Sequence, residues 1–453
     1  MRPNYLSIAI AILALASSPA SYSKPIDNPL VLPEGGSWTL LAEFAGSEQT
    51  FLLPADLPKI KALPKADRDK LLLNIKRIES NQKHVREISR QFFDAVPKPG
   101  DVEHRLTPEY DRTLTEAIIS ISSADTHNPK PLARHEPILR ALPTYTHIRI
   151  VLPAPALANV RKMLGELGLS KRATLYPQEE WNKKKPITTR YTRQSRWIRD
   201  AFLVGADAGG NLAAFVPISY ASLTDLTRND LDFVHDQMYP ARQVLHIPGF
   251  LRGGNLAVAD SRNGLRRVFV GEIEILNNEK NFIYSTGMAP PPALIPEVLK
   301  KIVGTSDVTV LPNTDKLFHI DMALNFLAPG IAALIAPLDE EKLEPADRQV
   351  LITYRRKLAE KGFRVINVPT TAARVNSFRS PVNALPFVNR DTGRRTVIVA
   401  RFEDETVMLE SRQQSLNAAI RSAYEREGFD VIFAEDRFSD RWGNVHCVMI
   451  AAR

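Results

Sequence analysis

Few residues in this chain have the types needed for nucleophilic chemistry. The one cysteine, Cys447, lies in Gly443-Asn444-Val445-His446-Cys447, close to the C-terminus. Structural thiols come in pairs, as disulfides or metal sites; a lone thiol is either buried and inert or reactive. Two other segments bear on that choice. Trp197-Ile198-Arg199-Asp200 places a carboxylate after a basic, aromatic run, and His319-Ile320-Asp321 places a histidine two residues from a second carboxylate. A guanidinium is planar, permanently charged and presents a fork of donors that carboxylates bind with paired, charge-assisted hydrogen bonds. A thiolate is a soft nucleophile for its carbon. A histidine can protonate the departing amine and then activate water. Cys447, His319, Asp200 and Asp321 together therefore have the chemistry to hold and attack a guanidinium, with no metal and no organic cofactor required.

Each of these residues also has an ordinary explanation. Asp200 alone reads as a capping or surface salt-bridge aspartate. His319, between Phe318 and Ile320, reads as a satisfied core histidine, and Cys447 as a small buried hydrophobe. If 319–321 is extended, His319 and Asp321 share one strand face, which favours their joint use. By the same alternation His446 points away from Cys447 and reads as structural. Trp197 is either core or a cation–π platform. Gly253-Gly254-Asn255 reads as a tight turn near the site. A thiol protease is a weaker reading, since it needs an orienter for its histidine but not two guanidinium-binding aspartates.

Composition narrows the classes. A chain of 453 residues is too long for one small core. The formal charge of +8 is spread along the sequence, and the densest basic run, Lys183-Lys184-Lys185, sits among polar residues beside Pro186 as a solvated loop would. No basic helix with interleaved aromatics is present, so nucleic acid is not expected as a partner. At the N-terminus Arg2, the apolar run Leu6–Ala16 and the small residues to Ser23 form a secretory signal pattern over 1–23. The run is too short to span a bilayer comfortably. The mature protein is expected to be exported, without stable membrane insertion.

The elements that must position these residues fall into two textures. Leu71, Leu72, Ile75, Ile78, Val85, Ile88 and Phe92 recur at helical spacing within 56–95, and Pro97 and Pro99 end the pattern. A second helix is predicted over about 108–122, and the proline-rich 128–143 reads as a linker, so 24–140 is expected to be a mostly helical N-terminal region. From 145 to 453 a helix followed by a short apolar strand recurs five times. The pairs are 156–169 with 173–177, 226–238 with 244–248, 294–303 with 308–312, 348–361 with 363–369, and 415–427 with 429–434. Further apolar strands lie between them at 202–204, 213–216, 268–270, 332–335 and 396–400. Four of the five paired strands end at a proline, which strand ends and edges tolerate. On periodicity alone an open α/β sheet is the simpler reading of this recurrence.

The four motifs, in this order and with the cysteine near the C-terminus, resemble the guanidino-group-modifying (pentein) superfamily, in particular agmatine deiminases and bacterial peptidylarginine deiminases. The resemblance covers about 145–453. It implies a five-bladed pseudo-symmetric α/β propeller, with Cys447 as nucleophile, His319 as acid–base, Asp200 and Asp321 on the guanidinium, and Trp197, Arg199, Arg252 and Asn255 as substrate-binding residues. Three positions depart from the pattern: Arg252 stands where an acid is common before the two glycines, Phe318 where glycine is common before the histidine, and Val448 where threonine is common after the cysteine. Arg252 would repel the amine of agmatine and suit a carboxylate or peptide carbonyl. The expectation is an exported deiminase of peptide or protein arginine. A deiminase of agmatine or free arginine, an amidinotransferase, and an inactive exported binding protein are the alternatives.

Overall fold

The computed structural model describes 104–122, 127–178, 196–217, 243–249, 251–286, 293–409 and 412–453, apart from single positions within them, and a few short stretches elsewhere. The signal pattern at 1–23, most of the helix read over 56–95 and the helix read over 226–238 lie outside the described residues. Among the described residues are seven α-helices, and no helix is long and apolar enough to cross a membrane.

The fold is mixed α/β. Five of its sheets share one plan, an antiparallel pair of which one strand takes a further strand in parallel. In chain order the pairs are Leu203–Ala206 with Leu212–Pro217, Leu256–Asp260 with Arg266–Gly271, Leu324–Ala328 with Ile331–Pro337, and Leu385–Val388 with Arg395–Arg401. Their parallel partners are Val244–Ile247, Val308–Leu311, Arg364–Thr370 and Asp430–Glu435. The fifth sheet draws on both ends of the described chain. Met449–Ala451 pairs antiparallel with Glu116–Ser120, which His147–Pro153 and then Ala173–Gln178 extend in parallel. Among the described residues no sheet closes on itself.

Local sequence explains the parts. The inner strands are buried on both faces, so they read as continuous apolar runs rather than alternating ones; Ala332 to Ile335 are all at most 1% exposed. Leu294–Val303 buries Leu294, Ile295, Val298, Leu299, Ile302 and Val303 on one stripe and ends at Gly304 with φ 72°, the left-handed cap glycine adopts readily. Each such side chain contributes roughly 1.5–3 kcal/mol of transfer free energy. Pro345 opens the helix Pro345–Glu360, where a missing N–H costs nothing. Pro177 and Pro369 fall within edge strands, where no ladder bond is lost on the outer side.

Two expectations are corrected here. The helix predicted over about 108–122 is a 3-10 turn, Glu109–Asp111, followed by the strand Glu116–Ser120, whose Ala117, Ile118 and Ile119 are fully buried between neighbouring strands. Helical spacing and a short buried apolar run look alike over so few residues. The linker read over 128–143 contains the helix Glu136–Ala141, started at Pro137. The fold thus takes in residues well before 145.

Candidate active site

Every motif occupies the same place in the plan. Ile198–Asp200, Gly253–Asn255, Ile320–Met322 and His446–Val448 are one-turn 3-10 helices, each just ahead of the first strand of an antiparallel pair. The first two turns touch each other and both touch the His446–Val448 turn, while Gly253–Asn255 also meets Ile320–Met322. In the remaining sheet the equivalent position is the loop 380–384, ahead of Leu385–Val388. Residues scattered over 250 positions therefore meet at one end of the fold.

A cavity of about 130 Å³ opens among these turns, walled by Trp197, Asp200, Arg252, Phe318, His319 and Cys447, with Arg199 and Gly254 completing it. Its tightness depends on two glycines. A Cβ on Gly254 would lie 2.5 Å from His319 Nδ1 and 3.0 Å from Asp321 Oδ2. One on Gly443 would lie 2.5 Å from the Trp197 ring and 3.2 Å from Cys447 Cβ. His319 and Asp321 thus converge on Gly254, though not by sharing a strand face: His319 is extended and Asp321 lies in the following turn. His446 and Cys447 likewise sit in a turn rather than a strand.

Behind the cavity lies a buried ionic chain. His446 Nδ1 is 2.8 Å from Asp321 Oδ2, and its Nε2 is 2.9 Å from Glu109 Oε2. Glu109 Oε1 accepts from Arg199 at 2.7 Å. Cys447 Sγ lies 3.6 Å from Asp321 Oδ2 and accepts from Asn383 Nδ2 at 3.1 Å. Asp321 and His446 line a second cavity of about 60 Å³, shared with Glu109, Arg112 and Arg199, rather than the first. Asp321 Oδ1 and His319 Nε2 are buried without a hydrogen-bond partner. Buried polar atoms are otherwise nearly always paired, so these two are positions a polar ligand can satisfy.

The charges follow from this packing. Burial alone would raise the Asp321 carboxyl, but bonded His446 and nearby His319 and Arg199 hold it below the carboxylate range. Burial and Arg199 push the His446 imidazolium down, and Glu109 with the two carboxylate bonds outweighs them, so its pKa is raised. Glu109, despite burial, is held well below the usual range by Arg199, His446 and Arg112. Burial, then the Arg252 cation, lowers His319 to about 3. Burial raises Asp200 to about 7, with Arg252 opposing and Glu274 and Asp321 assisting. Burial and Asp321 push the Cys447 thiol well above its ordinary value. Near neutral pH these shifts leave a neutral thiol beside a neutral imidazole.

Of the residues expected to bind substrate, Trp197 and Arg252 line the cavity. Arg252 is tied to buried Glu274, 2.7 Å from Nε. Arg199 reaches the wall while its guanidinium bonds Glu109. Asn255 is fully buried and acts as a brace: its amide donates to Glu274 and to the Phe318 carbonyl, and its oxygen accepts from Ile320 N at 3.0 Å. Sequence reasoning missed Glu109, Glu274 and Asn383, and assigned His446 no ionic role. Among the described residues no cluster of His, Cys, Asp and Glu is suited to a metal ion.

Turns, sheets and cavity together define an α/β protein with a thiol-bearing pocket at one end of repeated modules. No family model and no curated protein sequence matches this chain. Its fold matches C. jejuni agmatine deiminase at 17% identity, with TM-score 0.54, over 77% of this chain and 95% of that one. It matches the crystal structure of a candidate peptidyl-arginine deiminase at 14% identity and TM-score 0.54, over 77% of this chain and 98% of the other. The chain shares its fold with these two structures.

Proposed function

We propose that this protein is an exported guanidine hydrolase that deiminates peptidyl or protein arginine to citrulline, with the five sheets arranged as the blades of a ring around the site. The observation that carries the reading is the placement of Cys447, His319 and Asp200 on the walls of one cavity together with Trp197. The likeness of fold to an agmatine deiminase and to a candidate peptidyl-arginine deiminase supports the reaction class. The signal pattern over 1–23 supports a peptide substrate over the small one.

The chemistry runs as follows. Asp200 binds the guanidinium from the cavity wall, Asp321 supplies the second carboxylate, and Trp197 packs on the cation. Neutral His319 takes the thiol proton as sulfur bonds to the guanidinium carbon, and the C=N electron pair moves onto nitrogen. The imidazolium gives its proton to one amino group, the C–N bond breaks, and ammonia leaves with the electron pair. A thiouronium remains on Cys447. His319 then deprotonates a water whose oxygen bonds to carbon as the C=N pair moves onto nitrogen. The C–S bond breaks with its pair returning to sulfur, and the hydroxyl proton passes to that thiolate as the C=O forms. The imidazolium gives its proton to the released ammonia, leaving a ureido product and the free thiol.

The test is a ureido-product assay on the protein with a blocked arginine peptide, free arginine and agmatine, with Cys447→Ala as control. Product from the peptide that disappears in the variant is expected. Product from agmatine or free arginine alone would replace the peptide reading with a small-molecule deiminase. Silence on all three from folded protein would leave the inactive binding protein.

A further inference from the structure

We propose that Asn383 is a catalytic residue whose side-chain amide donates to the sulfur of Cys447 and stabilises it as the anion. The inference rests on the preceding reading, in which Cys447 is the nucleophile.

Asn383 is fully buried, one residue after Val382 in the loop that takes the place of a motif in the fourth sheet. Its Oδ1 accepts from the backbone N–H of His446 at 3.0 Å, and its Nδ2 lies 3.1 Å from Cys447 Sγ. The first bond fixes the second. A main-chain N–H must meet an oxygen, so the amide cannot be flipped and a donor faces the sulfur. The loop itself is clamped: Asn325 Nδ2 donates to the carbonyls of Val382 at 2.9 Å and Ala384 at 2.7 Å. Tyr424 donates to the Pro381 carbonyl at 2.9 Å, and Ser380 N donates to Asn444 Oδ1 at 3.0 Å. A donor held this way needs no reorganisation when charge appears.

The groups around the thiol make such a donor necessary. Asp321, at 3.6 Å, and Asp200 both oppose the thiolate, as does burial. The other titratable or charged groups on the wall are His319, held neutral by burial, and the Arg199 and Arg252 guanidiniums, held by Glu109 and Glu274. His446 precedes the thiol in the same turn, its imidazolium engaged by two carboxylates. Asn383 and a backbone bond from Asn444 are the donors that favour the sulfur anion. A neutral thiol accepts weakly and a thiolate strongly, so the Asn383 bond tightens twice in the cycle. It does so when the thiol loses its proton, and again when the C–S bond breaks and its electron pair returns to sulfur.

Because Cys447 is the only cysteine, its alkylation by iodoacetamide reads the thiolate directly and needs no substrate. The experiment follows alkylation rate against pH in the full chain, for wild type and for Asn383→Asp, which keeps the acceptor for His446 N and replaces the donor by an oxygen. The expected result is a midpoint at least one pH unit higher and an alkylation rate at least 10-fold lower at pH 7.5, in a variant that still unfolds cooperatively. An unchanged midpoint in folded Asn383→Asp overturns the proposal. Should that variant not fold, asparagine-¹⁵N-labelled wild type decides: one side-chain amide signal is expected to titrate with the alkylation midpoint and to stop titrating in Cys447→Ala, and the lack of such a signal overturns it. A shifted midpoint in a protein silent in the ureido assay would sustain the Asn383 donor to sulfur but sink both the hydrolase reading and its catalytic role; an active protein with an unchanged midpoint would sink Asn383 alone.

Discussion

The imidazole of His446 bridges Asp321 and Glu109, at 2.8 and 2.9 Å, one residue before the thiol. A charged imidazole between two carboxylates fixes both the orientation and the ionisation of Asp321. It also leaves Arg199 and Glu109 as a partly buried pair whose partners cannot be removed singly without cost. Glu109→Gln deprives Arg199, His446 and Arg112 of this carboxylate. Because Glu109 is 21% exposed, the loss is that of charged hydrogen bonds, roughly 1.5–3 kcal/mol, and not the full cost of breaking a buried pair. Urea unfolding is expected to show a loss of that size, with kcat/KM on the deiminated substrate falling alongside it. An unchanged midpoint would mean that Glu109 is a spectator.

Gly254 gives a sharper test of geometry, because its effect falls on the site and not on the core. A Cβ there meets His319 Nδ1 at 2.5 Å, a separation that real atoms do not hold, so the ring must move. A displacement of about 1 Å at an acid–base group costs on the order of 100-fold in rate. Gly254→Ala is expected to lower kcat by that factor while its melt stays near wild type. A kcat within twofold of wild type would remove His319 from the reaction.

How much of this was legible beforehand depends on distance along the chain. Asp200, Gly254, Asp321 and Cys447 stood out because each sits in a compact motif, and each motif is a turn at the start of an antiparallel pair. Four of the five helix-then-strand pairs were read correctly for the same reason, since caps, prolines and apolar runs are local; the helix of the remaining pair, 226–238, lies outside the described residues. Glu109 was not legible. It meets His446 from 337 positions away, through the pairing of Met449–Ala451 with Glu116–Ser120, and nothing in Pro108-Glu109-Tyr110 marks that. Asn383 carries no motif either, and its role appears only once the chain brings it 3.1 Å from sulfur. Arg252 was read as a free cation for substrate because its partner, Glu274, lies in the next helix. Asn255 was assigned to substrate because polar residues beside glycines often bind ligands; here its amide is used up bracing the Ile320–Met322 turn.

Asp200 makes a pH prediction with a defined sign. Its folded value of about 7 lies above the ordinary 3.8, so between those values the native state keeps a proton that the unfolded chain has lost. Stability contributed by this group is full below 3.8 and declines as pH rises toward 7. His319, lowered from 6.5 to about 3, acts in the opposite direction, its contribution declining as pH falls through that window. The difference between wild type and Asp200→Asn isolates the first slope. It is expected to move in favour of the variant as pH rises from 4 to 7 in parallel urea titrations. In the assay, a carboxylate must be ionised to bind the guanidinium, so kcat/KM is expected to fall about tenfold per unit below pH 7. A flat acid limb would remove Asp200 from substrate binding.

Trp197 separates binding from chemistry. Its ring lines the cavity, and Gly443 exists without a side chain where a Cβ would meet that ring. The ring also packs against Phe438, with centroids 6.4 Å apart, so removing it outright would leave a void. Trp197→Leu keeps apolar volume and removes the π face. A cation–π contact with a desolvated guanidinium is worth about 0.5–2 kcal/mol, which corresponds to a rise of roughly 2- to 30-fold in KM. The cation is already delocalised before attack and its charge is consumed as sulfur bonds to carbon, so the contact is made in the ground state and kcat is expected to stay within a few-fold. Steady-state kinetics on the same blocked arginine peptide reads both parameters at once. A fall in kcat with KM unchanged would assign Trp197 to positioning Cys447 through Gly443 instead of to the substrate.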